Sequence, residues 1–506
     1  MSSIKKLAGQ TIWYGASTIF SRFLNYLLTP YLTYKLTESV YGEMTLVYAA
    51  IPFLNTVFLY GMETAYFRYV QKDEHKGQIY STAFISILST TVLFSFLMII
   101  FNKQIAAVIS IKEHPEYIII SALIIAFDAF SALPFAKLRQ EGRPRKFAFI
   151  RITGIVLNIT VVYFFLSLCP SLIKKNPNSV VLFIYNKNFG VGYILVANVV
   201  QSFFQLAVLH REFFRHKWNF SFVLWKEIMV YSLPLTIAGF AGVINETFDR
   251  IMLGWWYPST SEAVIRSQVG IYGACYKLSI LISLFIQAFR MGAEPFFFKQ
   301  SVQENAQKTY ARVMKFFVIT ITLMFLIVAL YLDVWKEFIR NEKMWVGLKV
   351  VPILLFANIF LGIYINLSIW YRLSRKTMPG AVITLIGAAI TLIINYVFIP
   401  RYSYMACAWA TFICYGSMMV ISYLWGQKVY RIPYATKKLV AYLVIVALLY
   451  FLHHFLIGIW KNYWFSIGLA TIFTTAYGLF IARIEKREFQ KLPYVGKWIG
   501  KSEVRS

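Results

Sequence analysis

Acids are scarce in this chain. Its 506 residues hold 22 Asp and Glu against 50 Lys and Arg, a formal charge of +28. Cysteine is scarcer: Cys169, Cys275, Cys407 and Cys414 are scattered with no Cys-x-x-Cys pair, which excludes a disulfide framework and a thiolate metal centre. The His453-His454 pair has no carboxylate or cysteine at ligand spacing, so no metal is expected. There is no Gly-rich phosphate loop, no Walker motif and no nucleophile constellation. ATP hydrolysis and glycosyl transfer are therefore not expected, no cofactor is called for, and the chain does not read as an enzyme. Long hydrophilic stretches are missing as well. The longest is the C-terminal tail, "RIEKREFQKLPYVGKWIGKSEVRS".

Apolar sequence fills the rest. Hydrophobic residues make up 59% of the chain and charged residues 14%, with mean hydropathy +0.61. Runs of about 20 apolar residues recur, each long enough to cross a bilayer, and in lipid such runs must be helices. The fold class is an all-α polytopic membrane protein with about fourteen spans, the first an uncleaved span over 8–34. An even number of spans puts both termini on one side. Loops on that side hold 33 basic residues by count along the sequence, against 13 opposite. The bias predicts cytoplasmic termini and explains the positive charge without nucleic acid as a partner.

A signature occurs twice. "GMETAYFR" at 61–68 matches "GAEPFFFK" at 292–299, and each follows a Tyr-Gly pair, Tyr41-Gly42 or Tyr272-Gly273, at the same distance. The repeats fall in span 2 (41–67) and span 8 (268–291), so both cross in the same direction. The chain reads as two six-span halves in parallel pseudo-twofold repeat, residues 1–217 and 218–430, followed by two extra spans in 431–506. Parallel repeats place a transport site between the halves. Glu63 and Glu294 are repeat mates at the ends of spans 2 and 8. They are expected either to anchor helix ends by pairing with bases of their own half, or to gate the inner mouth by pairing across halves.

Ionisable residues inside the membrane cost roughly 2.5–3.5 kcal/mol each on insertion scales, so they mark interior or wet surfaces. Arg22 lies about 21 Å into span 1, near the bilayer centre. Asp128 is near the middle of span 4 (117–136). Glu246, Asp249 and Arg250 share one face of span 7 (228–253). Lys277 sits at comparable depth in span 8, which makes an Asp249–Lys277 or Glu246–Lys277 pair the geometric expectation. Basic groups lining a polar cavity are what an anionic phosphate headgroup requires. The carboxyls of Asp128, Glu246 and Asp249 are candidates for ion coupling or for structural ion pairs.

"SRFLNYLLTPYL" in span 1, "YGEM" opening span 2 and "VGIYGACYKLSILISLFIQAFRMGAEPFFF" in span 8 resemble the polysaccharide-transport branch of the MOP flippase superfamily, the Wzx-type O-antigen and capsule-unit flippases. The resemblance implies export of an undecaprenyl-pyrophosphate-linked oligosaccharide to the outer leaflet of a bacterial inner membrane. Arg22, Arg250 and Lys277 would hold the pyrophosphate in a central cavity. Glycan polymerase or glycosyltransferases are the implied protein partners. The lipid II branch usually carries a further arginine inside span 2, where this chain reads "VYAAIPFLNTVF". The drug-exporting MATE branch commonly has an acid in span 1, which is absent here. A lipid II flippase, a cation-coupled drug antiporter and a non-transporting membrane scaffold are the other readings.

Overall fold

The computed structural model describes residues 3–70, 76–214, 218–301, 303–373 and 378–490. Fourteen long helices carry the fold: α1 Ser3–Lys35, α2 Glu38–Leu59, α3 Lys76–Ile100, α4 Glu116–Gln140, α5 Pro144–Tyr163, α6 Gly192–Phe214, α7 Phe222–Trp256, α8 Glu262–Gln300, α9 Ala306–Ala329, α10 Val351–Leu367, α11 Met378–Tyr402, α12 Tyr404–Val429, α13 Thr436–Ile459 and α14 Tyr463–Ile484. No strand occurs among the described residues. A π-turn, Phe164–Leu168, and a short helix, Cys169–Lys175, prolong α5. Thirteen helices are long and apolar enough to cross a membrane. The exception is α1, which is long enough at 33 residues but carries Ser21, Arg22, Asn25 and Thr29 along its second half. Its polarity has a use, because these side chains stand inside the bundle.

Helix starts follow local chemistry. Ser221 Oγ accepts from Leu224 N at the start of α7, and Asn462 Oδ1 accepts from Trp464 N and Phe465 N at the start of α14. Pro352 sits in the first turn of α10, where a missing N–H costs nothing. Pro30, Pro52, Pro134 and Pro234 lie inside helices. The carbonyl of Pro52 accepts from Thr56 Oγ1 at 3.0 Å.

The end of α2 departs from the expected span 41–67. The helix stops at Leu59, the backbone turns left-handed at Tyr60 (φ 28°) and Gly61 (φ 72°), and a separate helix, Met62–Val70, begins. Gly61 fits because a Cβ there would lie 2.9 Å from the Ser232 carbonyl oxygen. Its repeat mate Gly292 lies within the unbroken α8. The shared signature therefore has two different backbones.

α2 packs along α8 more extensively than any other pair of long helices, and this seam joins the first six helices to the second six. The last two helices, α13 and α14, rest on α9. Their joint with it is Glu485, which follows α14 and is 2% exposed. It accepts from Lys315 Nζ of α9 at 2.6 Å, and from Lys438 Nζ at 2.8 Å and Tyr442 OH at 2.8 Å of α13. Burial alone would raise this carboxyl. The hydrogen bonds from Lys315, Lys438 and Tyr442 outweigh it and hold the group below the ordinary carboxylate range.

Removing one partner from a buried charge cluster costs about 3–5 kcal/mol. Glu485→Ala is expected to lower the thermal stability of detergent-solubilised protein and to loosen α13 and α14. Because the folded-state pKa is depressed, this stabilisation is full above the ordinary value of 4.5 and is lost as pH falls through the folded value. The stability gap between wild type and Glu485→Gln, followed by thermal unfolding across pH, is therefore expected to narrow in acid.

Candidate functional site: a charged cavity in the bundle

A cavity of about 380 Å³ lies between the first six helices and the second six. α1 contributes Arg22, Asn25, Tyr26 and Thr29, and α2 contributes Tyr41, Thr45 and Tyr48. α5 contributes Asn158, α7 contributes Glu246, Thr247 and Arg250, and α8 contributes Tyr276, Lys277, Ser283 and Gln287. Arg22, Arg250, Lys277 and Glu246, singled out from sequence on three different spans, thus meet in one space.

Their electrostatic states differ. Arg22 donates from Nη1 to Gln287 Oε1 across the two sets of helices and is otherwise exposed to the cavity. Lys277 has no hydrogen bond or ion pair among the described residues. Arg250 is nearly buried and already engaged. Its Nη1 donates to Asp249 Oδ1 at 2.8 Å and to the Glu246 carbonyl, and its guanidinium lies 4.0 Å from the Tyr276 ring centroid. Asp249 Oδ2 accepts from Tyr272 OH at 2.6 Å. The expected Asp249–Lys277 pair does not form, because Arg250 folds back over its own neighbour and Tyr272 takes the second oxygen. Glu246 turns its carboxylate into the cavity without an ion pair among the described residues. The open charges are then Arg22 and Lys277 against Glu246, a net of one positive charge.

Three further residues of the wall carry unmet polar atoms. Tyr26 OH, Tyr41 OH and Asn158 Nδ2 lie enclosed behind the cavity surface and make no hydrogen bond among the described residues. An unmet buried donor costs about 1–3 kcal/mol, so these three are a standing cost of this wall. Sequence reading missed them, since nothing in the pattern separates an interior tyrosine from a membrane-belt one.

Asp128 does not reach the cavity. Its carboxylate accepts from Ser202 Oγ of α6 at 2.7 Å, inside the first six helices. Arg151 of α5 lies in electrostatic range of both Asp128 and Arg22, and its guanidinium stacks 4.2 Å from the Phe135 ring centroid. The signal for Arg151 was in the sequence: it is a base seven residues into an apolar span.

Both ends of the space are crossed by contacts between the two sets of helices. At the end away from the N-terminus, Arg266 of α8 is buried and lies 2.9 Å from Glu113 and 3.4 Å from Glu43 of α2. Lys112 and Glu262 pair beside it at 3.3 Å. Here the backbones nearly touch. A Cβ on Gly42 would fall 1.8 Å from the Arg266 carbonyl oxygen, and one on Gly270 would fall 2.0 Å from that of Glu38. The Tyr-Gly part of the repeated signature is thus a close-packing element. At the other end, Tyr69 OH donates to the Glu227 carbonyl at 3.1 Å and Arg68 stacks on Tyr231. Glu63 is bonded to Arg139, and Glu294 to Arg372 with Arg290 at 3.6 Å, so each repeat mate pairs within its own set of helices.

The fold is similar to that of solved MOP-superfamily transporters. The chain itself belongs to the polysaccharide biosynthesis protein family, whose model matches residues 7–301. Comparison with curated proteins finds no match. Among solved structures, the lipid II flippase MurJ in its inward closed conformation is similar with a TM-score of 0.67 at 14% identity, covering 93% of this chain and 99% of that one. An inward-facing multidrug-resistance MATE transporter of the MOP superfamily is similar with a TM-score of 0.59 at 14% identity, covering 81% and 94%. A MOP-superfamily transporter from Pyrococcus furiosus, described by the reversed polarity of its binding pocket, gives 0.53 at 14% identity, covering 83% and 95%.

Overfilling a packed contact costs about 1–3 kcal/mol. Gly270→Ala is therefore expected to weaken the seam at Arg266 while leaving each set of helices folded. A thiol placed at Thr45→Cys should react faster with an impermeant reagent supplied from that end in the Gly270→Ala background. Equal rates would show that the seam does not control access.

Proposed function

We propose that this protein is a flippase that carries an undecaprenyl-pyrophosphate-linked oligosaccharide from the cytoplasmic to the outer leaflet of a bacterial inner membrane, for polysaccharide or lipopolysaccharide synthesis. The observation that carries the reading is the meeting of Arg22 and Lys277, from opposite sets of helices, in one cavity whose wall also includes Asn25, Thr29, Thr45 and Gln287. A sugar-pyrophosphate head cannot cross hydrocarbon unaided, whereas its prenyl tail is stable there. The cavity volume falls within the range of about 300–1,000 Å³ typical of small-ligand sites, enough for the charged part of such a head.

Transport follows by alternating access. The seam at Gly42, Gly270 and Arg266 closes one end while the ends bearing Glu63 and Glu294 part, and the converse motion delivers the head to the other face. The 1–217 and 218–430 units act as the two moving halves, with 431–506 as an attached pair of helices and a basic tail. The basic bias of the loops supports cytoplasmic termini. Glu246 is our choice for ion coupling: of the three candidate carboxyls it alone opens into the cavity, whereas Asp249 is held by Arg250 and Tyr272 and Asp128 lies elsewhere. Glu63 and Glu294 then serve as anchors of helix ends, through Arg139 and Arg372.

A charge-assisted hydrogen bond contributes about 1.5–3 kcal/mol, or roughly 10–150-fold in affinity. Arg22→Ala and Lys277→Ala are each expected to reduce flipping of a prenyl-pyrophosphate-linked sugar in reconstituted vesicles by such a factor, with normal protein levels and melting temperature. Full activity in either variant removes that residue from the site. Equal loss with a neutral prenyl-linked sugar would show that the bases do not read pyrophosphate.

A further inference from the structure

The connection between α5 and α6 has a composition at odds with its position. It leaves the bundle at the end away from the N-terminus, beyond Lys175, and contains the 3-10 turn Val180–Phe183. Val180 is 80% exposed and Phe183 91%, with Leu182 and Ile184 also exposed. Positions i and i+3 of a 3-10 helix eclipse, so Val180 and Phe183 lie on one edge. Leaving a large apolar side chain in water forgoes about 1.5–3 kcal/mol. Lys174, Lys175 and Lys187 flank the turn, all exposed and with no ion pair among the described residues. Residues 169–191 contain no acid at all.

The segment is nevertheless well placed. Tyr185 stacks on Tyr193 at 5.3 Å, Tyr193 OH donates to the Asn186 carbonyl at 3.2 Å, and Tyr117 OH donates to the Phe189 carbonyl at 2.9 Å. These contacts tie the limb that leads into α6, at Tyr185, Asn186 and Phe189, to α4 and α6, and the apolar turn projects beyond them. On the α5 side its apolar surface continues into Tyr163, Leu168 and Leu172, exposed on a helix apolar enough to face lipid. Bases beside a short apolar edge, with no acid between them, match a membrane surface with anionic headgroups.

We propose that residues 174–187 form an interfacial anchor: Val180, Leu182, Phe183 and Ile184 enter the leaflet at that end of the bundle, and Lys174, Lys175 and Lys187 bind the phosphates of its anionic phospholipids. The anchor fixes the height and tilt of α5, whose Asn158 lines the cavity. It is independent of what the cavity carries.

The four native cysteines are buried, so a nitroxide can be attached selectively to Phe183→Cys in the folded full-length protein. In vesicles of phosphatidylethanolamine and phosphatidylglycerol, the label is expected to collide more with oxygen than with a water-soluble nickel relaxer. That preference should shrink in purely zwitterionic vesicles, and also in a Lys174→Gln, Lys175→Gln, Lys187→Gln background. A label that stays in water in every vesicle overturns the anchor. Equal depth in all lipids and in the triple variant overturns the headgroup contacts. A label shielded in detergent as well would assign the turn to a protein contact, which also contradicts the proposal.

Discussion

A charge in hydrocarbon must be paired, hydrated or turned inward, and the arrangement of this bundle depends on that constraint. The internal charges singled out from the sequence sort into two kinds. Asp249 with Arg250 and Tyr272, and Asp128 with Ser202, are satisfied by their neighbours and bind helix to helix. Arg22, Lys277 and Glu246 are not neutralised, and all three face the same cavity. A structural ion pair would have drawn Lys277 to Asp249. Arg250 and Tyr272 occupy that carboxylate instead, which leaves the lysine free for a contents-bearing space. The polarity of α1 has the same origin. It fails as a lipid-facing helix because its polar residues form one wall of the cavity.

The seam between α2 and α8 imposes a second constraint. Backbones this close exclude any Cβ at Gly42 and Gly270, so the contact is either made in full or lost. The ion pairs of Arg266 with Glu43 and Glu113 act across it. Parting the two sets of helices would strip a buried arginine of Glu43 and Glu113 and leave it Glu262, 3.9 Å away on its own helix. A contact of this kind suits a two-position device better than a gradual one, and a shift of 1.4 kcal/mol changes the ratio of two states tenfold.

Much of this was legible in the sequence. Apolar run length located the helices, and the unaffordable charges in spans 1, 7 and 8 pointed to a common space before their neighbours were known. The repeated signature marked two parallel halves and the two glutamates at helix ends that carry ion pairs, but not that its Tyr-Gly part packs one half against the other. What escaped was three-dimensional. Nothing in the repeat distinguishes Gly61, which breaks a helix, from Gly292, which does not. Arg266 sits at a span edge and reads as a loop base until Glu43 and Glu113 are placed around it. Glu485 looks like one more charge in a basic tail, although it is buried between α9 and α13. Spacing along one chain reports which residues share a helix face, but not which of several nearby partners wins.

Alternating access requires the seam at the end away from the N-terminus to open in every transport cycle. Thr45 Cβ lies 3.2 Å from where a Cβ on Gly273 would stand, so a shift of a few tenths of an ångström brings the pair into the range of about 3.5–4.5 Å of a disulfide between Thr45→Cys and Gly273→Cys. The measurement is flipping of a prenyl-pyrophosphate-linked sugar by this double variant in vesicles, oxidised and then reduced. The oxidised protein is expected to stop and the reduced protein to resume. Undiminished flipping by fully cross-linked protein would contradict the opening of this seam.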